Sequence, residues 1–412
     1  MKLLWLKAGG LHPQNSGGKI RTYNLLRCLA QRHEVTLVSY HRFGEGEVAC
    51  DASLEQLLSR VIAIPSSEPV HSTAAFYISY AKSLWSRTPF QLRRFRNAGV
   101  ARRIAELLNE EQFDLAVCDF LSPVLNLPAR KSCPWVLFAH NVEAQIWERR
   151  RQAGNWMERA IAQIEFWKMR GWERQQVRRF EYLWTVSEED KQYFAGCLPE
   201  NRIQVIRTGV DASFFQRPPG ALRGSNTLLF LGALDWWPNE DAIVNFYRHI
   251  LPHIRAAVPE AEFLIVGRNA GAQLRALARS ETGVKLRSSV EDVRPFLHSA
   301  TAFVVPLRIG GGTRLKIYEA MASGVPVVST TIGAEGLKAT SGENIILADD
   351  PIDFANACIT LLQNPDLRRH LADNALQDIR SHHTWDIVGA ELSAALKSAL
   401  SRLSDREEGV KR

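Results

Sequence analysis

Short apolar runs alternate with segments of helical period along the whole chain. In the first half the runs are Leu3–Leu6, Val35–Ser39, Val61–Ile64, Leu115–Cys118, Trp135–Phe138, Tyr182–Val186 and Gln204–Ile206. Between them, Ile20–Arg32 brings Leu25, Leu26 and Leu29 to one helical face, and Ala101–Asn109 predicts a further helix. Strands separated by helices in this way predict a parallel, doubly wound sheet. A segment with Pro218, Pro219, Gly220 and Gly224 then reads as a linker over 213–225. A second alternating set follows: Leu228–Leu231, a helix around Ala242–Leu251, Glu262–Val266, Lys285–Leu286, Ala302–Val305, Val325–Ser329, a strand starting near Leu347, and a helix at Phe354–Leu362. Left over is an amphipathic helix from Trp385 to Leu403, expected to return to the first domain. The predicted fold class is therefore α/β, with two Rossmann-like domains, 1–212 plus 385–412 and 226–384, facing across a cleft. Ligands of such sheets bind outside the carboxyl ends of the strands, where Gly9–Gly18, Ala139–Asn141, Gly232–Asn239 and Gly310–Gly312 all fall.

The stretch from Val304 to Thr330 carries the densest chemistry. It reads as a buried strand, a glycine loop, a helix and a second buried strand. Gly310, Gly311 and Gly312 let the backbone bend and come close to a ligand. A helix beginning near Thr313 would offer free N–H groups and a positive dipole end to an anion. Arg314 and Lys316 add fixed positive charge, and Glu319, about a turn further on, is placed to accept hydrogen bonds from a ribose. A diphosphate carrying a sugar and a nucleoside asks for all of these together. A plain βαβ turn accounts for the glycines, but not for two cations and a carboxylate after them.

A length of 412 residues favours two domains, and 46% hydrophobic with 23% charged residues is globular. The net charge of +7 suits a partner bearing phosphates or an anionic surface. Cys28, Cys50, Cys118, Cys133, Cys197 and Cys358 are scattered without metal-binding spacing, which argues for reduced thiols in the cytoplasm. No D-x-D occurs, so no metal site is expected. Met1–Ala8 is too short for a signal h-region and is interrupted by Lys7, and no run approaches the ~18 apolar residues of a membrane span. The protein is expected in the cytoplasm, with the inner face of the membrane as an alternative setting.

Gly17-Gly18 after the first strand, Ala139-His-Asn141, Ser187 after a strand, Thr208-Gly-Val-Asp211, Phe230–Asn239 and the glycine segment follow one another in a fixed order. That ordered set, over nearly the whole chain, resembles the family 4 retaining glycosyltransferases of GT-B fold. It looks closest to the sugar transferases of exopolysaccharide clusters, where Gly-Gly-Thr-Arg-Leu-Lys is common. The resemblance implies transfer of a sugar from a nucleotide sugar, with uridine diphosphate the expected nucleotide, to a hydroxyl of a glycan or lipid-linked acceptor. No cofactor beyond that co-substrate is expected. By position, Gly17 and Gly18 would approach the donor, with Gly232 and the Gly310–Glu319 segment, while His140 would sit beside the transferred sugar. Catalytic candidates are His140 and Lys316. Donor-binding candidates are Gly17, Gly18, Gly232, Arg308, Gly311, Gly312, Thr313, Arg314, Lys316 and Glu319.

Two departures stand out. The glutamate that the family places eight residues before the ribose carboxylate is Gly311 here. The arginine and lysine common after the first strand of the second domain are absent from Gly232–Asn239, so the diphosphate charge is expected to have moved to Arg308, Arg314 and Lys316. Asp119, Asp211 and Asp235 remain carboxylates without an assigned place. On the acceptor side, 82–103 holds seven cations and no acid among Trp85, Phe90 and Phe95, which suits peripheral membrane contact or a solvated face better than nucleic acid. Trp147–Trp184 interleaves arginines with Glu148, Glu158, Glu165, Glu173 and Glu181 and reads as a salt-bridged helix. Rival readings are a nucleotide-sugar 2-epimerase, an inactive nucleotide-sugar-binding protein and a nucleic-acid-binding protein.

Overall fold

A computed structural model describes residues 1–14, 16–41, 52–65, 80–129, 131–151, 156–220, 226–280, 282–310 and 312–410. The apolar runs become β1 (Lys2–Ala8), β2 (Glu34–His41), β3 (Arg60–Pro65), β4 (Leu115–Asp119), β5 (Trp135–Phe138), β6 (Tyr182–Thr185) and β7 (Ile203–Val205). A second series comprises β8 (Thr227–Ala233), β9 (Glu262–Arg268), β10 (Val284–Ser288), β11 (Ala302–Val305), β12 (Val327–Ser329) and β13 (Ile346–Leu347). Among the described residues these form two sheets, ordered β3-β2-β1-β4-β5-β6-β7 and β10-β9-β8-β11-β12-β13, with parallel pairings. Strands buried on both faces explain the continuous apolar runs: β4, β5, β6, β11 and β12 are buried at every position.

Strand order reverses between β1 and β4 in the first sheet, and between β8 and β11 in the second. At such a switch point adjacent loops leave in opposite directions and open a crevice at the carboxyl ends of the strands. Register sets Lys7 of β1 beside Asp119 of β4, and Asp119 beside Phe138 of β5. Residues at these strand ends are therefore candidates for chemistry before any side chain is considered.

The chain divides into two compact units, Met1–Arg207 with Val388–Arg412, and Thr208–Ile387. The second unit thus starts ahead of the expected linker. Asp211 Oδ1 accepts from Phe214 N at 2.9 Å and caps a short helix, Ala212–Phe215, whose Phe215 lies in the second core with Val210. Residues 221–225 of that linker lie outside the described residues. Trp385 begins the last helix in the second unit, its ring against Gly209, where an added Cβ would come within 2.6 Å of it.

From Val388 on, the same helix belongs to the first unit. Val388, Leu392, Leu396 and Ala399 recur at helical spacing and are buried. Arg207 reaches Glu391 at 2.7 Å, and the Tyr182 hydroxyl donates to Ala399 O at 2.9 Å. Gly389 has no room to spare, since an added Cβ would sit 2.7 Å from Cys28 Cβ and 2.8 Å from its sulfur. Gly389→Ala is therefore expected to lower stability to urea by about 1–3 kcal/mol through overpacking. Adding Cys28→Ala should recover part of the loss; an additive double variant would contradict the docking of this helix against Cys28.

Candidate active site

At the first switch point a buried carboxylate gathers four elements. Asp119 is wholly buried, and its Oδ2 accepts from Thr22 Oγ1 at 2.6 Å, Trp5 Nε1 at 3.0 Å and Lys7 Nζ at 3.3 Å. His140 Nε2 lies 2.7 Å from the other oxygen, Oδ1, in a close but bent contact. Burial alone would raise the Asp119 carboxyl, but Lys7, His140 and Thr22 together hold it well below the usual carboxylate range. An ionised carboxylate at that distance keeps the imidazole proton on Nε2 and leaves Nδ1 as an acceptor. Nδ1 is buried and makes no hydrogen bond among the described residues. Burial pushes His140 down to about 4; Asp119 opposes this, while Arg21 and Lys7 reinforce it. The ring is therefore neutral near pH 7.

Phe120 completes the cluster. It adopts φ +72°, a left-handed conformation that bulky residues rarely hold outside functional sites. Its ring stacks on His140 at 3.9 Å and carries Lys7 Nζ at 4.7 Å from its centroid. A Cβ on Gly18 would stand 2.9 Å from this ring, so Gly18 makes room for Phe120. Gly17, at the start of the helix Gly17–Ala30, faces open space, and Ser16 before it gives no side-chain cap.

Sequence reasoning left Asp119 without a place and overlooked Lys7 and Thr22. Lys7 and Asp119 are charges at the ends of apolar strands, and that interruption is the signal that could have found them. Asp235 accepts from Asn269 Nδ2 at 2.8 Å, well away from this cluster in the chain.

In the second unit, the loop after β11 meets the loop after β8. Gly310 and Gly312 hold φ +144° and +78°, which their lack of a side chain permits, while Gly311 lies outside the described residues. The helix that follows is Leu315–Ala322, two residues later than expected, with Arg314 at its start and no side-chain cap. Thr313 Oγ1 is buried and has no hydrogen-bond partner among the described residues. Arg314 donates to Gly312 O at 2.8 Å and lies 5.6 Å from the Trp236 ring centroid. The loop that lacks cations thus supplies an aromatic platform for one. Arg308 is instead engaged by Asp241, at 2.7 and 3.1 Å, so part of its charge is neutralised.

Lys316 is 41% exposed, with its Nζ 3.9 Å from Glu319 Oε2, whose side chain is 5% exposed. Gly232 serves packing: a Cβ there would meet Asn239 Nδ2 at 2.6 Å, and that amide donates to Ala233 O at 2.9 Å. Arg268, in register with Ala233, was not foreseen; its Nε is buried and has no hydrogen-bond partner among the described residues. Among the described residues no three His, Cys, Asp or Glu side chains are grouped as a metal ion requires.

Residues 15–214 match the model of Glycosyltransferase Family 4, and residues 225–364 match that of Glycosyl transferases group 1. Taken together these stretches cover most of the chain, which belongs to the family 4 glycosyltransferases of GT-B fold. The chain is 28% identical over 219 residues to a phosphatidyl-myo-inositol mannosyltransferase of Mycolicibacterium smegmatis, covering 49% of this chain and 56% of that protein. It is 30% identical over 159 residues to a GDP-mannose-dependent mannosyltransferase acting on monoacylated phosphatidylinositol monomannoside, from Corynebacterium glutamicum, covering 36% and 42%. The chain thus spans about half the length of these curated relatives. Among solved structures, Anabaena Alr3699/HepE in complex with UDP-glucose superposes with a TM-score of 0.65 at 15% identity, covering 97% of this chain and all of that one, a likeness of fold.

The helix that follows His140 starts on a buried carboxyl. Glu173 accepts from the backbone N–H of Glu143 at 2.9 Å and of Ala144 at 3.4 Å, capping the helix Glu143–Arg150. Burial, then the nearby Glu143, raises its carboxyl to about 8. The folded state therefore holds a proton that the unfolded state has released, so stability from this group is present at low pH and lost as pH rises from about 4.5 to about 8. Urea stability measured between pH 6 and 8.5 should fall with pH in the native chain and fall less in Glu173→Gln. Equal slopes would contradict this. Separately, Asp119→Ala leaves Lys7 buried without its counter-ion and should cost about 3–5 kcal/mol in urea; a loss under 1 kcal/mol would show that the cluster does not need the charge.

Proposed function

We propose that this protein transfers a glycosyl group from a nucleotide sugar to a hydroxyl of a glycan or lipid-linked acceptor, with retained anomeric configuration and without a metal ion. The observation that carries this reading is the buried Thr313 hydroxyl, without a hydrogen-bond partner among the described residues, beside an uncapped helix start and an Arg314 guanidinium propped on Trp236. An orphan donor, free N–H groups and a cation together suit a phosphate. Thr313, Arg314, Lys316 and the backbone of Gly310–Gly312 bind the diphosphate, and Arg268 is a further cation within reach of the same strand ends. Glu319 holds the ribose. Uridine diphosphate is the expected nucleotide, and the GDP-mannose dependence named for the Corynebacterium relative makes guanosine donors the second arm of a donor screen.

Charge builds on the diphosphate as the glycosidic bond breaks, so cations near it act most strongly in the transition state. His140 meets a sugar hydroxyl through Nδ1. Asp119 has both oxygens engaged and acts as a positioning residue that fixes the tautomer of His140, not as a nucleophile. The carboxylate missing at Gly311 is replaced by backbone groups. The lipid-bearing acceptors named for the relatives, together with the basic segment 82–103, support an acceptor at a membrane surface.

Removing a charge-assisted hydrogen bond costs about 1.5–3 kcal/mol, roughly ten- to a hundredfold. Glu319→Ala should act mainly on KM for the donor, because the ribose is remote from the reacting bond. Lys316→Ala should lower kcat as well. Since Lys316 and Glu319 already face each other, the double variant should lose less than the sum of the two. His140→Ala should lower kcat with little change in nucleotide affinity. Unchanged kinetics in Lys316→Ala would exclude this lysine from the diphosphate site. Transfer should persist in excess chelator; complete loss restored by magnesium or manganese would exclude the metal-free reading.

A further inference from the structure

In the second unit a hollow of about 500 Å³ opens between three stretches of chain. They are Gln216–Arg217, the end of the helix Leu315–Ala322 with Ser323 and Gly324, and one face of the helix Pro365–His382. All three belong to the same compact unit. On the last of them Arg369, Ala372, Leu376 and Arg380 follow at steps of three, four and four, so they share a helical face. Ala372 is buried, and its short side chain leaves the hollow its depth. Phe215 lies in the second core, and its carbonyl oxygen is 3.1 Å from His298 Nε2, which anchors the segment that carries Arg217.

The charge around the hollow is mostly of one sign. Arg217, Arg368, Arg369 and Arg380 border it against one carboxylate, Asp373. Arg217 Nη1 is buried and has no hydrogen-bond partner among the described residues. A buried donor in that state costs free energy until an acceptor reaches it. Arg368 Nη1 donates to Leu361 O and, at 2.8 Å, to Leu362 O, which ties this guanidinium to the end of the helix Pro351–Gln363. Burial pushes Arg368 below its usual value, a cost that a nearby anion would offset. Arg369 meets Asp366 at 3.2 Å, but with side chains 70% and 89% exposed the pair is held weakly. Nor are these arginines needed to finish the helix Leu315–Ala322. The carbonyls of Glu319, Ala320 and Met321 already accept from the N–H groups of Ser323, Val325 and Gly324.

We propose that this hollow is a second anion site, for a soluble phosphate monoester the size of a sugar phosphate. A guanidinium presents paired donors to phosphate oxygens, and arginines on separate elements can grip one phosphate from several sides. The volume exceeds what a phosphate ion fills and lies within the range of small-molecule sites. Pro365, Ala372 and Leu376 offer apolar contact to the body of such a ligand. A recess bounded by three elements suits a compact anion better than an extended polyanion. The site is separate from the glycine loop, since it adjoins the carboxyl end of the helix whose amino end follows that loop. Ser323 Oγ donates to Glu319 O at 2.9 Å, so the rim of the hollow and the donor-side carboxylate share one helical turn.

The inference does not rest on the transferase reading, because binding is read without donor or acceptor. Isothermal titration of the full chain compares glucose 6-phosphate, inorganic phosphate and glucose. Glucose 6-phosphate is expected to bind tightest, inorganic phosphate more weakly and glucose not at all. Arg217→Gln with Arg380→Gln should weaken glucose 6-phosphate at least about tenfold. Lys316→Ala, beside the glycine loop, should leave that affinity unchanged. Arg380→Gln alone, at an exposed helix position, serves if the double variant melts early. Failure of the native chain to bind glucose 6-phosphate would overturn the inference, as would inorganic phosphate binding just as tightly. So would loss of binding in Lys316→Ala with the arginine variants unaffected, which would put the ligand at the glycine loop. Tighter binding of a polyglutamate peptide through the same arginines would overturn it in favour of an acidic protein partner.

Discussion

A carboxylate with no access to water organises the first unit. Moving such a group into the interior costs several kcal/mol unless charge and hydrogen bonds replace the lost hydration. Asp119 receives that replacement from Lys7 on β1, Thr22 on the first helix, Trp5 on β1 and His140 after β5. These donors come from three separate stretches of sequence, so the ends of those elements must converge for Asp119 to be satisfied. The consequence for chemistry is a histidine kept neutral by burial, with its proton directed to one nitrogen and the other nitrogen left as an acceptor. The left-handed Phe120 is held against that ring, and Gly18 is what lets it fit. Removing the carboxylate would therefore disturb the tautomer and the packing together.

The second unit solves the same topological problem with little buried charge. Its switch point is lined by glycine backbone, an uncapped helix and cations that are partly exposed. Two glycines, Gly232 and Gly267, bring β8 and β9 so close that a Cβ on Gly267 would overlap Gly232 O. This close approach sets Arg268 and the Ala233 loop side by side. One unit thus fixes the His140 ring through a buried carboxylate and an aromatic stack. The other leaves polar side-chain atoms without hydrogen-bond partners among the described residues.

Much of the fold was legible because parallel strands buried on both faces must be apolar without alternation, and the runs at Leu115–Cys118 and Ala302–Val305 have no other reading. The expectation of an anion site at the glycine segment came from chemistry that is local in sequence. Asp119 was not legible, since Thr22, Lys7 and Trp5 lie between 97 and 114 residues away from it and only the fold joins them. The helix Trp156–Val177 was misread for a related reason. Glutamates interspersed with arginines look solvated along a sequence, but Glu165 and Glu173 turn inward because backbone N–H groups of Phe90, Glu143 and Ala144 need acceptors there. The start of the expected linker failed because Asp211 caps a helix that the prolines after it conceal.

The loop after β8 lacks cations, and the arginines around the second switch point are held in three different ways. Three arginines stand near the glycine loop in sequence or register, and their surroundings rank them. Arg308 is clamped by both oxygens of Asp241, so little of its field is left for a ligand. Arg268 is half-buried with an idle Nε, which makes it costly unless an anion engages it. Arg314 donates to Gly312 O and rests over Trp236, a residue from the very loop that lacks the cations. An aromatic face attracts a guanidinium without neutralising it, and it limits the side chain's freedom before a ligand binds. Trp236 therefore limits where the Arg314 guanidinium sits, beside the turn of helix that carries Lys316 and the buried carboxylate of Glu319.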